Sequence, residues 1–306
     1  MNRIRAALGR PPTHSRRRAL ALALIAALAL TLVAAPGAWA TAIVPEHGGS
    51  PNADHIAGLY ELVLGVAIVI FLGVEGALFY SLWKFKARKG AVPAQIRGNT
   101  RLEIGWTVGA AVILVVLAVF TFAKLPSIRN PPDSGPNGLQ LAAGPSPRLP
   151  PNGRSLNICV NGQQYVWRFT YPIGNNCNNI ALNSPYSYEQ MVVPTDTTVT
   201  LTIRAQDVAH SWWIPKLGGK FDAVPGYTNY TWFKIPSSVL GGKSSRTFTG
   251  QCAELCGRNH ANMVAEVTAV SPSDFEQFIA QRKADLKAAD AAAAVQRKLV
   301  QAGKNP

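Results

Sequence analysis

Residues 251–263 read QCAELCGRNHANM, and within this stretch lie four side chains that bind soft metal ions. An earlier run, AHSWWIPKLGGK (209–220), adds a second imidazole. The candidate ligands are His210, Cys252, Cys256, His260 and Met263. Thiolates, imidazoles and a thioether favour copper over calcium or magnesium. A mononuclear blue-copper site needs only one cysteine, so the second thiolate allows two coppers to share a pair of sulfur bridges.

Two other interpretations of the same residues stay open at this level. A Cys2His2 zinc site would use the four cysteine and histidine side chains and leave Met263 idle. The C-x3-C pair could also form a disulfide, although its short loop favours a metal. Histidines are often structural, but the chain beyond the membrane segments contains only His210 and His260, and both belong to the cluster.

The loop, together with HSWWIPKLGGKFDAVPG (210–226), resembles subunit II of the haem–copper cytochrome c oxidases, over roughly residues 55–280. The resemblance implies a dinuclear, mixed-valence copper centre (CuA). Its implied ligands are His210, Cys252, Cys256, His260, Met263 and the backbone carbonyl of Glu254. It also implies that the Glu254 side chain helps to hold a magnesium or manganese ion facing subunit I.

The charge of the chain is explained by export and topology. A net charge of +14 over 306 residues could indicate nucleic-acid binding. However, an arginine-rich start, an apolar run over 19–35 and the sequence AWA at 38–40 predict a secretory signal peptide over 1–40. An uncleaved first transmembrane helix is the alternative. No nucleic-acid role is needed.

Two membrane-spanning helices are predicted within residues 41–125, at about 56–83 and 104–125. The loop between them, KFKARKGAVPAQIRGNTR, has six Lys and Arg residues and no carboxylate. A short loop this basic belongs on the cytoplasmic side. We therefore expect a multi-pass protein of the bacterial inner membrane, with its C-terminal domain on the outer, periplasmic side.

Glu103 lies at the cytoplasmic entrance of the second predicted span. The pattern ExxWT (103–107) resembles the second helix of the same family. In that family this glutamate opens a proton-uptake channel of subunit I. The resemblance therefore implies a role for Glu103 in proton uptake.

The exported part is predicted to be all-β. Residues 126–153 are rich in Pro, Gly, Ser and Asn and predict a linker with little structure of its own. Short alternating runs over 154–270 predict a single cupredoxin-like Greek-key sandwich or barrel. We expect His210 to end one strand and the metal loop to join the last two. The fold class is therefore a membrane-anchored all-β protein with two transmembrane helices.

The last segment, 271–306, is rich in Ala, Lys and Gln and predicts a helical tail. Ser273 is the expected N-cap, with Phe275 and Phe278 packing inward. A helix that binds a partner is the alternative to a solvated tail.

Cysteines outside the metal loop predict a disulfide. Cys159 and Cys177 flank one predicted strand, and an exported protein most simply joins such a pair. No C-x-x-C-H motif occurs, so no haem is expected in this chain.

The surface that would receive the electron donor departs from the family pattern. Many relatives have a tryptophan where electrons enter; GQQYVWRFTY (162–171) places Tyr165 there and Trp167 two residues later. Asp207 is the main carboxylate left to dock a donor. Residues 125–306 contain 17 Lys and Arg against 11 Asp and Glu, a net charge of +6. This charge favours a neutral, acidic or membrane-tethered cytochrome, including one held in a supercomplex.

The resemblance implies that the chain accepts electrons from cytochrome c and passes them to haem in subunit I. Subunit I then reduces oxygen to water and pumps protons, with subunit III as a further partner. No catalytic residue is expected in this chain itself. The alternatives are the CuA subunit of a nitric oxide or nitrous oxide reductase, and a membrane-anchored copper carrier or assembly protein. A carrier would need exposed, exchangeable ligands, and this chain has one enclosed loop.

Overall fold

The structure is a computed structural model. It describes residues 43–87, 89–90, 92, 94–139 and 155–302. The predicted signal peptide over 1–40 and the second half of the predicted linker, residues 140–153, lie outside the described residues. From Glu46 onward the described residues belong to one compact unit.

In the part of the chain that the structure describes, two long helices precede the exported domain: α1, Pro51–Lys84, and α2, Thr100–Arg129. Their 34 and 30 residues are apolar enough to cross a membrane. At 1.5 Å per residue they measure about 51 and 45 Å, more than the roughly 30 Å of a hydrocarbon core. Both extend past the predicted apolar runs because polar end turns are helical too. Asn99, for example, caps α2 by accepting the N–H of Leu102 at 3.2 Å.

Within residues 155–302, ten strands form the exported domain, which is the all-β fold expected. They are β1 Leu156–Gln163, β2 Val166–Thr170, β3 Tyr186–Tyr188, β4 Gln190–Pro194, β5 Thr198–Ala205, β6 His210–Trp212, β7 Phe221–Ala223, β8 Asn229–Lys234, β9 Ser245–Gln251 and β10 Val264–Val270. Helix α3, Pro272–Gln301, follows. One sheet has the order β3-β2-β1-β5-β8 and another β4-β10-β9, with β6 and β7 as a separate pair.

The core lies between the two larger sheets, which form an open sandwich. Along strand β5, every second side chain points into this core: Val199, Leu201 and Ile203 are fully buried in it. The alternate threonines face away from the core and are buried under other chain segments. Thr202, for example, donates its hydroxyl hydrogen to Asn157 at 3.1 Å.

Strand β8 and the adjacent end of β5 hold the exported ends of both membrane helices. Before and within the first turn of α1, Ser50 accepts the N–H of Lys234 at 3.1 Å and Asn52 donates to the carbonyl of Trp232 at 3.0 Å. In the last turn of α2, the carbonyl of Ile128 accepts from the Trp232 indole at 2.8 Å, and after the helix Thr198 donates to the carbonyl of Pro132 at 2.7 Å. The described part of the predicted linker therefore lies fixed against the sheet, although it has no regular structure after α2.

Two local predictions were wrong. Strand β6 begins at His210, which was expected to end a strand, because residues 210–212 pair with β7. The N-cap of α3 is Ser271, which accepts the N–H of Asp274 at 3.1 Å, and Ser273 lies inside the first turn. Phe275 is buried in the core as expected, and Phe278 packs against its edge.

A disulfide joins Cys159 to Cys177, with the two Cα atoms 5.5 Å apart. It holds the segment after β2 over the outer face of β1. Arg204 adds to this attachment by donating to the Cys177 carbonyl at 3.3 Å and to Asn178 at 2.8 Å.

Candidate metal centre

The candidate ligand loop connects β9 to β10, as expected. Its ends are joined because the N–H of Cys252 donates to the carbonyl of Met263 at 2.8 Å. The next residue, Ala253, donates to the carbonyl of Ser211 at 2.9 Å. The second bond ties the loop to β6, the strand that carries His210. A residue distant in sequence is thereby brought beside the loop.

The candidate ligand atoms converge. The two sulfurs of Cys252 and Cys256 lie 3.9 Å apart and are not bonded. Each thiol has one imidazole Nδ1 beside it: His210 lies 3.9 Å from Cys252, and His260 lies 3.5 Å from Cys256. The Met263 sulfur is 3.9 Å from Cys256, and the carbonyl oxygen of Glu254 is 3.3 Å from Cys252.

These donors are mostly withdrawn from solvent. His210 and Met263 are fully buried, and the two cysteines are almost so. Burial, and to a smaller extent the neighbouring Cys252, raise the pKa of the Cys256 thiol to about 11. A metal ion would offset this cost by stabilising both thiolates and releasing their protons. Two thiols, two imidazoles, a thioether and a carbonyl in contact form a donor set that fits copper.

The ring of His210 is oriented from its far side. Its Nε2 lies 2.9 Å from Oδ1 of Asp207, whose side chain is 34% exposed. Partial burial alone would raise the pKa of Asp207, but hydrogen bonds from Gln164, His210 and Val208 hold it below its usual value. An imidazole that presents Nδ1 to a metal carries its proton on Nε2, and a carboxylate there fixes both tautomer and orientation.

Comparison with known proteins adds to this geometry. The transmembrane-domain model of cytochrome c oxidase subunit II matches residues 38–124, and the periplasmic-domain model matches 186–270. A probable cytochrome c oxidase subunit 2 from Rickettsia bellii is 30% identical over 262 residues, which cover 81% of this chain and 86% of the relative. The chain belongs to the cytochrome c oxidase subunit II family.

Further similar proteins include subunit 2 of Cereibacter sphaeroides. It is 28% identical over 283 residues, which cover 83% of this chain and 84% of the relative. The solved periplasmic domain of subunit II of cytochrome oxidase from Bradyrhizobium japonicum is 28% identical. That match covers 43% of this chain and 95% of the solved chain, with a TM-score of 0.36.

Membership of the cytochrome c oxidase subunit II family confirms the coarse functional prediction. The protein is subunit II of a haem–copper cytochrome c oxidase, an oxidoreductase complex, and it associates with subunit I in a membrane. The periplasmic-domain match implies copper of the CuA type and a periplasmic position for the β domain. His210, Cys252 and Cys256 form a buried cluster compatible with that metal. The reductase and copper-carrier alternatives are not favoured.

The two aromatic residues predicted for electron transfer have different surroundings in this subunit II. Trp167 is fully buried, with its ring edge-on to His210 at 5.9 Å between centroids. Tyr165 is half-buried and lies on the metal loop: a Cβ at Gly257 would be 2.5 Å from its hydroxyl oxygen. Only Tyr165 of the pair therefore reaches the surface.

Other predicted residues of subunit II lie apart from the ligand cluster or on its rim. The Glu254 residue is exposed, and its neighbour Leu255 is 78% exposed, on the outside of the metal loop. Glu103 is exposed in the first turn of α2. Its Oε1 accepts the N–H of Asn99 at 3.3 Å, so this carboxylate also caps the helix.

Sequence reasoning missed three residues beside the ligands. Gly162 faces His210, Gly257 follows the second cysteine, and Gln164 donates to the Cys256 carbonyl at 2.6 Å. A glycine directly after a ligand was a usable signal, because its φ of +130° favours a residue without a side chain. Nothing local in the sequence marks Gln164.

Proposed function

We propose that His210, Cys252, Cys256, His260, Met263 and the carbonyl of Glu254 hold the dinuclear CuA centre of this subunit. The observation that carries the proposal is a pair of buried, unbonded thiols 3.9 Å apart, each beside one imidazole nitrogen. When bound, the copper pair supplies one-electron redox chemistry with the charge shared between two metals. A single zinc would leave Met263 without a role, although its sulfur lies against Cys256.

The work of the chain is to keep these donors fixed. The loop is closed on itself at Cys252 and Met263 and tied to β6 at Ser211. Asp207 holds the His210 ring, and Trp167 packs against its edge. Ligands that do not move between oxidation states lower the reorganisation that an electron transfer requires. The surrounding core excludes water from the thiols.

The proposed donor is a cytochrome c that meets the chain at Tyr165, with Trp167 behind it. Support comes from the contact between Tyr165 and Gly257, which brings a surface aromatic ring onto the metal loop. Asp207 is the carboxylate proposed to dock the donor through its exposed part. The +6 net charge of residues 125–306 disfavours a strongly basic soluble donor. A membrane-tethered cytochrome or a supercomplex fits better.

Electrons are proposed to leave on the side of Glu254 toward haem in subunit I. The exposed Glu254 carboxylate is available there for the magnesium or manganese ion implied by the family, because oxygen donors suit such hard cations. Subunit III completes the proposed assembly. Oxygen reduction to water and proton pumping belong to the complex and not to a site in this chain.

Glu103 is proposed to serve proton uptake at the cytoplasmic end of α2. Its exposure in the single chain leaves the carboxylate accessible to a partner subunit, even while it caps the helix. The basic loop between the helices supports this orientation in a bacterial inner membrane, with the copper domain outside.

The deciding experiment is metal analysis and electron paramagnetic resonance (EPR) of the full-length chain in its oxidase. We expect two coppers in this subunit with a delocalised mixed-valence signal. Cys252→Ser should abolish that signal. A double Cys159→Ser, Cys177→Ser variant is the matched control, since it removes two cysteines away from the cluster and should keep the signal in folded protein. One zinc and no copper per subunit would refute the proposal.

A further inference from the structure

One residue of the turn between β1 and β2 is linked by hydrogen bonds to both parts of the ligand cluster, directly to the metal loop and through Asp207 to His210. Gln164 donates its Nε2–H to the carbonyl oxygen of Cys256 at 2.6 Å. Its backbone N–H donates to Oδ2 of Asp207 at 2.7 Å, and the other oxygen of Asp207 lies 2.9 Å from Nε2 of His210. Gln164 therefore connects a thiol ligand on the metal loop to an imidazole ligand on β6.

The turn also packs directly on the metal loop. Gly257 follows Cys256, and a Cβ there would lie 2.9 Å from Nε2 of Gln164 and 2.5 Å from the hydroxyl oxygen of Tyr165. No side chain fits between the turn and the loop at this point. The hydrogen bond from Gln164 to Cys256 thus lies within a close contact. Loss of the donor there should shift the backbone of Cys256.

We propose that Gln164 is a positioning residue of the copper centre, which rests on the proposed ligand assignment. Its side-chain amide fixes the Cys256 carbonyl and, through that peptide, the direction of the Cys256 thiolate. Its backbone N–H fixes His210 through Asp207. Side-chain substitution removes the first effect and keeps the second, because the backbone N–H remains. Residues that orient metal ligands in this way typically change metal affinity by about 10- to 100-fold when substituted.

The test compares Gln164→Leu with Gln163→Leu in the intact oxidase. Leucine removes the amide donor at similar volume. Gln163 is the matched control because it is the adjacent glutamine, the last residue of β1, and its side chain makes no hydrogen bond within the described residues. For Gln164→Leu we expect roughly 10-fold faster copper release to a chelator and an altered copper hyperfine pattern in EPR. Gln163→Leu should match the wild type in both.

A second pair of measurements separates positioning from a general loss of structure. Gln164→Glu keeps the shape of the side chain and should show the same altered hyperfine pattern at neutral pH, because a carboxylate cannot donate to the Cys256 carbonyl. In metal-free full-length chain, hydrogen exchange of the Gly257 amide should be faster in Gln164→Leu than in Gln163→Leu.

Wild-type copper release and hyperfine pattern in Gln164→Leu would overturn the inference, as would equal changes in Gln163→Leu. A wild-type subunit that binds no copper would overturn the proposed function instead. In that case the Gly257 exchange rate still decides the role of Gln164, and an unchanged rate overturns it.

Discussion

Replacing Gly162 by alanine tests how tightly the site is packed. Gly162 lies on β1 opposite Trp167, and an added Cβ would be 3.0 Å from Cζ3 of Trp167 and 3.1 Å from Cδ2 of His210. Neither ring moves freely, since both are fully buried and Asp207 holds His210. One of them must shift by a few tenths of an ångström to accept the methyl group.

The expected magnitude follows from two opposing effects. Overpacking of a core typically costs about 1–3 kcal/mol. Alanine also reduces the freedom of the unfolded chain, which returns about 0.4–1 kcal/mol where its backbone is compatible. We therefore expect Gly162→Ala to lower the free energy of unfolding by about 1–2 kcal/mol. Either shift disturbs the ring of His210, a proposed copper ligand, directly or through Trp167 packed against it, so copper release should also accelerate by roughly 10-fold.

Gly219→Ala is the matched control. A Cβ at Gly219 meets its nearest atoms at 3.8 and 4.0 Å, which is ordinary contact. Guanidinium unfolding of the metal-free chain in detergent, followed by tryptophan fluorescence, measures the first effect. Transfer of copper to a chelator measures the second. Equal stability and equal copper release in the two variants would refute the packing argument.

Three further predictions concern protons and electrons. Glu103→Gln should slow reduction of the oxygen site in stopped-flow measurements while copper reduction stays unchanged; unaltered turnover would leave Glu103 only its helix-capping role. Tyr165→Ala should lower the rate of electron transfer far more than donor affinity, with turnover weakly dependent on salt; steep loss of turnover with a basic cytochrome as salt rises would contradict the docking proposal. The pKa of Cys256 in the metal-free fold, about 11, lies above its ordinary value of 9.0, so folding stability should fall as pH rises from about 9 to 11. Cys256→Ser should lose that dependence, and a parallel pH profile in this variant would exclude Cys256 as its source.

The predictable parts of the site are those whose residues lie close together in the sequence. The residues Cys252, Cys256, His260 and Met263 lie within twelve positions, so their shared chemistry is visible before any fold is known. The core strands were equally predictable. In a run such as TVTLTIRA, apolar and polar residues alternate, and this alternation predicts a strand with one face buried in the core.

The remaining features depend on tertiary partners. The bond from Gln164 to Cys256 spans 92 positions, and no local pattern encodes it. The sequence predicts Asp207 as a docking charge, but its carboxylate also accepts from Gln164 and holds His210. Strand β6 has three residues, too few for alternation to set where it starts. Ser271 and Ser273 are both good caps, and only the path of the chain leaving β10 decides between them.

The attachment of both membrane helices to one side of the sandwich has a mechanical consequence. A redox domain on a slack tether reaches its acceptor only during the fraction of time in which the tether brings them together. Here the chain entering α1 and the chain leaving α2 are bonded to β8 and β5 at Lys234, Trp232 and Thr198. Under the proposed function, the distance from the copper centre to its acceptor in subunit I is then set once, at assembly. The tunnelling distance is therefore the same in successive turnovers, and no diffusive search precedes each electron transfer.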